Sequence, residues 1–226
     1  MQDFVIVTGM ILQALPMGEY DKRVLVLTKE RGKISAFAKG ARRQNSKLMA
    51  RTNPFCFGTF KLYEGRSAYS MVDAEISNYF DCFREDFEGA MYGMYFLDVA
   101  EYYTRENNDE RDMLKLLYQS LRALSLPSLP NELVRYIFEM KTLVVNGEFP
   151  GTPVDRPLLA DTRYTIDYIE KAGLDKLYTF VVSEDVMKEL ADCAAEYRRK
   201  FTGKKFKSLE ILEETIDGAN ICGLKI

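Results

Sequence analysis

The side chains with most chemistry to offer in this sequence are cations. Residues 31–63 contain Arg31, Lys33, Lys39, Arg42, Arg43, Lys47, Arg51 and Lys61 and no Asp or Glu. A second run, residues 198–207, adds Arg198, Arg199, Lys200, Lys204, Lys205 and Lys207, again without an acid. The two runs hold 14 of the 31 Lys and Arg and leave 17 cations against 34 carboxylates elsewhere, so a net charge of −3 and a pI near 5.3 conceal segregated charge. Clustered Lys and Arg neutralise phosphates and release their counterions. In an extended residue 33–39 segment, Ile34, Ala36 and Ala38 face one way and Lys33, Ser35, Phe37 and Lys39 the other. Ammonium groups interleaved with a ring suit a single nucleic-acid strand, whose phosphates meet the cations while a base stacks on the ring. Residues 40–54 carry Arg42, Arg43, Lys47 and Arg51 without apolar periodicity and read as a mobile loop able to wrap a backbone.

Other chemistries are poorly supplied. The chain has no His, which excludes Ser-His-Asp and Cys-His nucleophilic sites. Cys56, Cys82, Cys193 and Cys222 are scattered without a C-x-x-C pair, so no zinc site is expected. Phosphate-cradling glycine loops are absent, and no compact Asp/Glu group suggests a divalent metal. A binding protein without catalytic residues or cofactor is therefore expected. The opening "MQDFVIVTGMILQALPMG" has Asp3 where a signal peptide is basic and is interrupted by Thr8, Gly9 and Gln13. With no apolar run of about 20 residues anywhere, a cytoplasmic protein is expected.

The elements that must position these cations follow from periodicity. "FVIVTGMIL", "RVLVLT", "KISAFAK", "FCFGTFKLYE" and "AYSMVDAEI" read as five strands, with turns at "MGEYD", "KERGK" and Gly65. Such short strands suit a small Greek-key barrel of the oligonucleotide-binding (OB) type, with an SH3-like barrel as the rival. From Phe80 the spacing turns helical, with stripes at Phe83, Phe87, Ala90, Met94 and Leu97, at Met113, Leu116, Leu117, Leu121 and Leu124, and at Leu133, Ile137, Met140 and Val144. "RYTIDYI" and "LYTFVV" read as a small hairpin. Ser183 then caps a helix striped by Val186, Leu190, Cys193 and Tyr197, and a last helix begins at Ser208.

"GEYD", "LTKERGKISAFAKGARR", "SKL", "NPF", "FREDFEGAMYGMYFLD", "RYIFEMKTLVVNGEFP" and "GKKFKSLEIL" resemble the RecO family of bacterial DNA repair and recombination mediators. The resemblance implies an N-terminal OB domain, a helical C-terminal domain, binding of single- and double-stranded DNA, and annealing of complementary strands. It also implies RecR and the C-terminal tail of the single-strand-binding protein as partners, with DNA passed on to RecA. Many members carry a four-ligand zinc module after the position of "NGEFP"; residues 154–182 here have no Cys and no His.

These observations predict an α+β chain: an OB-fold barrel over residues 1–79 and a mostly helical domain over residues 80–226, with a hairpin at about 151–182 in place of the zinc module. Lys33, Phe37, Lys39, Arg42, Arg43, Lys47 and Arg51 form the expected primary nucleic-acid surface. Arg198, Arg199, Lys204, Lys205 and Lys207 form a second. Arg122, Arg135 and Lys141 are the candidates beside a helical groove for an acidic partner tail. The rival functions are a protein-binding adaptor whose basic loop takes an acidic partner and a metal-dependent nuclease.

Overall fold

The computed structural model describes residues 4–65 and 68–222, with side chains to residue 216; Asp3 and the Cys222 side chain lie outside them. Backbone packing divides the chain into two compact units, Met1–Asp81 with Leu97–Leu114, and Cys82–Phe96 with Lys115–Ile226.

In the first unit β1 (Phe4–Met17), β2 (Asp21–Thr28), β3 (Gly32–Ala38), β4 (Phe57–Glu64) and β5 (Tyr69–Asn78) close into a five-stranded OB barrel in the order β1-β2-β3-β5-β4. One long strand makes closure possible. β1 pairs with β4 through residues 4–10 and with β2 through residues 9–17, and a register irregularity between Ile11 and Gln13 bends it from one neighbour to the other. Gly9 and Gly58 face each other where β1 meets β4. A Cβ at Gly9 would lie 2.2 Å from the Leu27 carbonyl oxygen, and one at Gly58 2.1 Å from that of Glu75, so the backbones approach as only glycine permits. Val7, Ile11, Val24, Val26, Ile34, Phe60 and Leu62 fill the interior.

Residues 40–54, expected from their composition to be a free loop, are instead anchored to the barrel. They contain a short helix, α1 (Leu48–Arg51), whose Leu48 joins Ala41 and Cys56 in the barrel core. The Thr52 hydroxyl donates to the Leu48 carbonyl at 2.7 Å, and main-chain bonds between Ile11 and Phe55–Cys56 tie the segment to β1. The barrel also pairs with the segment after α2 (Phe87–Tyr103): Gly32 bridges Glu106, and Lys33 N donates to the Arg105 carbonyl at 2.9 Å.

The second unit is helical. Besides its part of α2 it holds most of α3 (Arg111–Leu124), together with α4 (Asn131–Val145), α5 (Ala160–Lys171), α6 (Glu184–Phe201) and α7 (Lys207–Cys222). The α3 and α6 stripes are buried as their spacing predicts, and the Ser183 hydroxyl accepts from Val186 N at the α6 N-terminus. The α2 stripe requires correction. Phe83 lies in a preceding 3₁₀ turn and Phe87 and Met94 are exposed, while Tyr92, Tyr95, Phe96, Val99 and Ala100 are buried; a helix apolar around most of its circumference has no unique stripe to read. The hairpin is also corrected. "RYTIDYI" lies within α5, whose buried residues Thr162, Thr165, Ile166 and Ile169 repeat at helical spacing; a 3₁₀ turn, Leu174–Lys176, follows, and residues 177–182 form no strand. The Thr, Ile and Tyr content suggested strand, but packing of a helical face decides.

Candidate nucleic-acid interface

β3 alternates as expected: Ile34, Ala36 and Ala38 are buried, and Lys33, Ser35 and Phe37 lie on the outer face. Register places Phe37 between Arg23 on β2 and Ser70 on β5. Arg23, not anticipated from the sequence, is exposed, and its Nε donates to the Ser35 hydroxyl at 3.0 Å, which holds the guanidinium across the same face. Its position two residues into a strand, facing alternately with Val24, was the available signal.

After β3 the chain turns at Lys39 and Gly40, and the Asp21 carboxylate accepts from Gly40 N at 2.7 Å. Lys39, Arg42, Arg43 and Lys47 are all exposed. The segment is anchored to the β1–β2 turn: Arg42 N donates to the Tyr20 carbonyl at 2.8 Å, and Arg42 Nη1 to the Gly18 carbonyl at 3.1 Å. The Arg43 guanidinium lies over the Tyr20 ring, 5.1 Å from its centroid. The Tyr20 phenol is held above its ordinary pKa, first by its hydrogen bond with Glu19 and then by desolvation, against the opposing charge of Arg43. Phe37, Arg23, Lys39, Arg42 and Arg43 thus belong to one end of the barrel, at the β1–β2 turn.

Two predicted members have other partners. The Lys33 ammonium donates to the main-chain carbonyl of Glu101 in the last turn of α2. Arg51 Nη1 contacts Asp73 Oδ1 at 3.0 Å and the Ala74 carbonyl at 2.7 Å on β5. Lys22 likewise joins β2 to the α1 segment, donating to Met49 O at 3.2 Å and Asn53 Oδ1 at 2.8 Å, and its ammonium pKa is lowered, chiefly by desolvation.

In the helical unit the second cationic cluster is also divided. Arg199, Lys204, Lys205 and Lys207 are exposed around the α6–α7 junction, with the Lys204 ammonium 5.4 Å from the Phe206 ring centroid. Arg198 instead enters a network around Glu139, which accepts from Arg198 Nη1 at 3.0 Å, Arg135 Nε at 2.9 Å and the Tyr95 hydroxyl at 2.7 Å. Arg135 reaches on to Glu213 at 2.8 Å. Of the three partner-tail candidates only Arg122 is exposed. Arg135 is buried in that network, and Lys141 is buried with its ammonium donating to the carbonyls of Ile169, Glu170 and Ala172. Those carbonyls stand at the α5 C-terminus, where the last turn has no intrahelical donors.

Among the described residues, no helix is long and apolar enough to cross a membrane, and no three His, Cys, Asp or Glu side chains converge as metal ligands would.

Comparison with known proteins covers the barrel and the first helices that follow it. Residues 1–80 match the family described as Recombination protein O N terminal, and residues 84–155 match Recombination protein O C terminal. A DNA repair protein RecO of Clostridium novyi is 33% identical over 233 residues, covering 90% of this chain and 91% of the relative. Another, of Acetivibrio thermocellus, is 27% identical over 243 residues, covering 93% and 96%. A third, of Alkaliphilus metalliredigens, is 34% identical over 142 residues, covering 63% and 58%. With both domains matched in order, and a relative one-third identical along nearly its full length, the chain belongs to the RecO family.

Proposed function

We propose that this chain is a non-enzymatic DNA-binding and strand-annealing protein of recombinational DNA repair. The observation that carries this reading is the outer end of the barrel, where Phe37 and the exposed Arg23, Lys39, Arg42 and Arg43 share one region of an OB fold, with the exposed Lys47 following in the same segment. Such a surface binds phosphates through cations and stacks bases without reading their edges. Annealing then requires only that repulsion between two strands be screened while their base edges stay free to pair. No nucleotide cofactor enters this scheme. Arg199, Lys204, Lys205 and Lys207 supply a second cationic region on the helical unit.

Family membership supports the finer proposals: RecR and the single-strand-binding protein's C-terminal tail as partners, and delivery of DNA to RecA. Arg122 is the exposed candidate for an acidic tail. Fluorescence anisotropy against labelled single strands of several sequences, with a stopped-flow annealing assay on complementary oligonucleotides, tests the reading. Sequence-tolerant, salt-sensitive binding and accelerated annealing are expected. Binding to an acidic polypeptide but not to DNA would favour the adaptor instead.

A further inference from the structure

The sequence offers Phe37 as the aromatic element of the barrel face, yet Phe37 is half-buried between neighbouring strands. Tyr20 presents more of its ring. It sits at the tip of the β1–β2 turn with 43% of the residue exposed, among Lys39, Arg42 and Arg43, all exposed. Its backbone is fixed by the bond from Arg42 N at 2.8 Å, and one face of its ring is covered by the Arg43 guanidinium at 5.1 Å. A ring held in place on one face by a cation, with phosphate-seeking cations alongside, is prepared to take a base on its other face.

We propose that Tyr20 is the principal base-stacking platform of the barrel and the source of a preference for single over double strands. The proposal rests on the DNA-binding reading above and adds the residue that discriminates between its two DNA substrates. A duplex keeps its bases stacked inside and offers this ring only phosphates and sugars, which the neighbouring cations bind in either form. A single strand can place an unstacked base against Tyr20, with the Arg43 guanidinium behind the ring and flanking phosphates on Arg43 itself and on Arg42 or Lys39. The competing role is cover for the apolar stem of Arg43, which a leucine would also provide.

The test uses the full chain carrying Tyr20→Leu, Tyr20→Phe or Arg43→Ala, each titrated against a labelled oligothymidine and a labelled duplex over a range of salt. Tyr20→Leu is expected to weaken single-strand binding roughly 5- to 150-fold, with duplex affinity and the single-strand salt slope unchanged, because a stacked base and no phosphate contact is lost. Tyr20→Phe keeps the ring and should bind as the wild type. Arg43→Ala should lower both affinities and reduce the single-strand slope by about 0.7. Wild-type single-strand affinity in Tyr20→Leu, or an equal loss for both substrates, would overturn the proposal and leave the DNA-binding reading standing. A wild-type chain that binds neither substrate would overturn that reading as well.

Discussion

Arg51 is bonded to Asp73, Nη1 to Oδ1 at 3.0 Å, and the same nitrogen reaches the neighbouring Ala74 carbonyl at 2.7 Å. The pair fastens α1 to β5 at the position where β5 departs from regular register with β4. Arg51→Ala should therefore lower stability by roughly 1 kcal/mol, the scale of a partly exposed ion pair plus one charge-assisted bond. Its single-strand salt slope should remain that of the wild type. A denaturant midpoint and a salt titration together check this, and a flattened slope would return Arg51 to the DNA surface.

The two faces of β3 should respond oppositely to truncation. Ile34 is 1% exposed in the barrel core, so Ile34→Ala should cost on the order of 2 to 5 kcal/mol of stability. Phe37 lies on the outer face, and Phe37→Ala should cost less stability while weakening strand affinity. Denaturant melts paired with anisotropy separate the effects; a Phe37→Ala protein that unfolds while Ile34→Ala stays stable would contradict the observed register.

Lys141 gathers the carbonyls of Ile169, Glu170 and Ala172, and so fastens the end of α5 to α4. Lys141→Met keeps the apolar stem and removes the ammonium, leaving buried acceptors without their donor at a cost of about 3 kcal/mol. Amide exchange should quicken in α5 before α4. Protection unchanged throughout α5 would show that water replaces the ammonium without loss.

Glu139 is the common acceptor for Arg135, Arg198 and Tyr95. Glu139→Ala leaves the buried Arg135 with only the half-exposed Glu213 as its carboxylate partner and should destabilise the helical unit by roughly 2 to 3 kcal/mol. The double variant Glu139→Ala with Arg135→Met should recover part of that loss, because the under-compensated guanidinium is then gone. Additive losses in thermal unfolding would contradict this coupling.

The strands were legible because a half-buried barrel strand writes its inward face at every second residue, as Ile34, Ala36 and Ala38 do. The α6 helix was legible from its Ser183 cap and from Val186, Leu190, Cys193 and Tyr197. α5 was misread because its Thr, Ile and Tyr residues favour strands in isolation, and the ammonium that caps it comes from Lys141, far away in sequence. The candidate site was legible as a concentration of charge but not as a set of available groups. Sequence does not show that Lys33 meets Glu101, that Arg51 meets Asp73, or that Arg135 and Arg198 converge on Glu139. Tyr20 passed as a turn residue because its significance depends on the return of Arg42 and Arg43 to that turn.

On the reading proposed above, the exposed cations following β3 bind the phosphates of a nucleic-acid strand. The most direct test is the slope of log affinity against log salt for a short single strand, measured for the wild type and for Arg42→Ala/Arg43→Ala/Lys47→Ala. Loss of three phosphate contacts should reduce the magnitude of that slope by roughly 2 and weaken binding on every sequence. A triple variant with wild-type affinity and an unchanged slope would show these cations to be ordinary solvated surface that takes no part in strand binding.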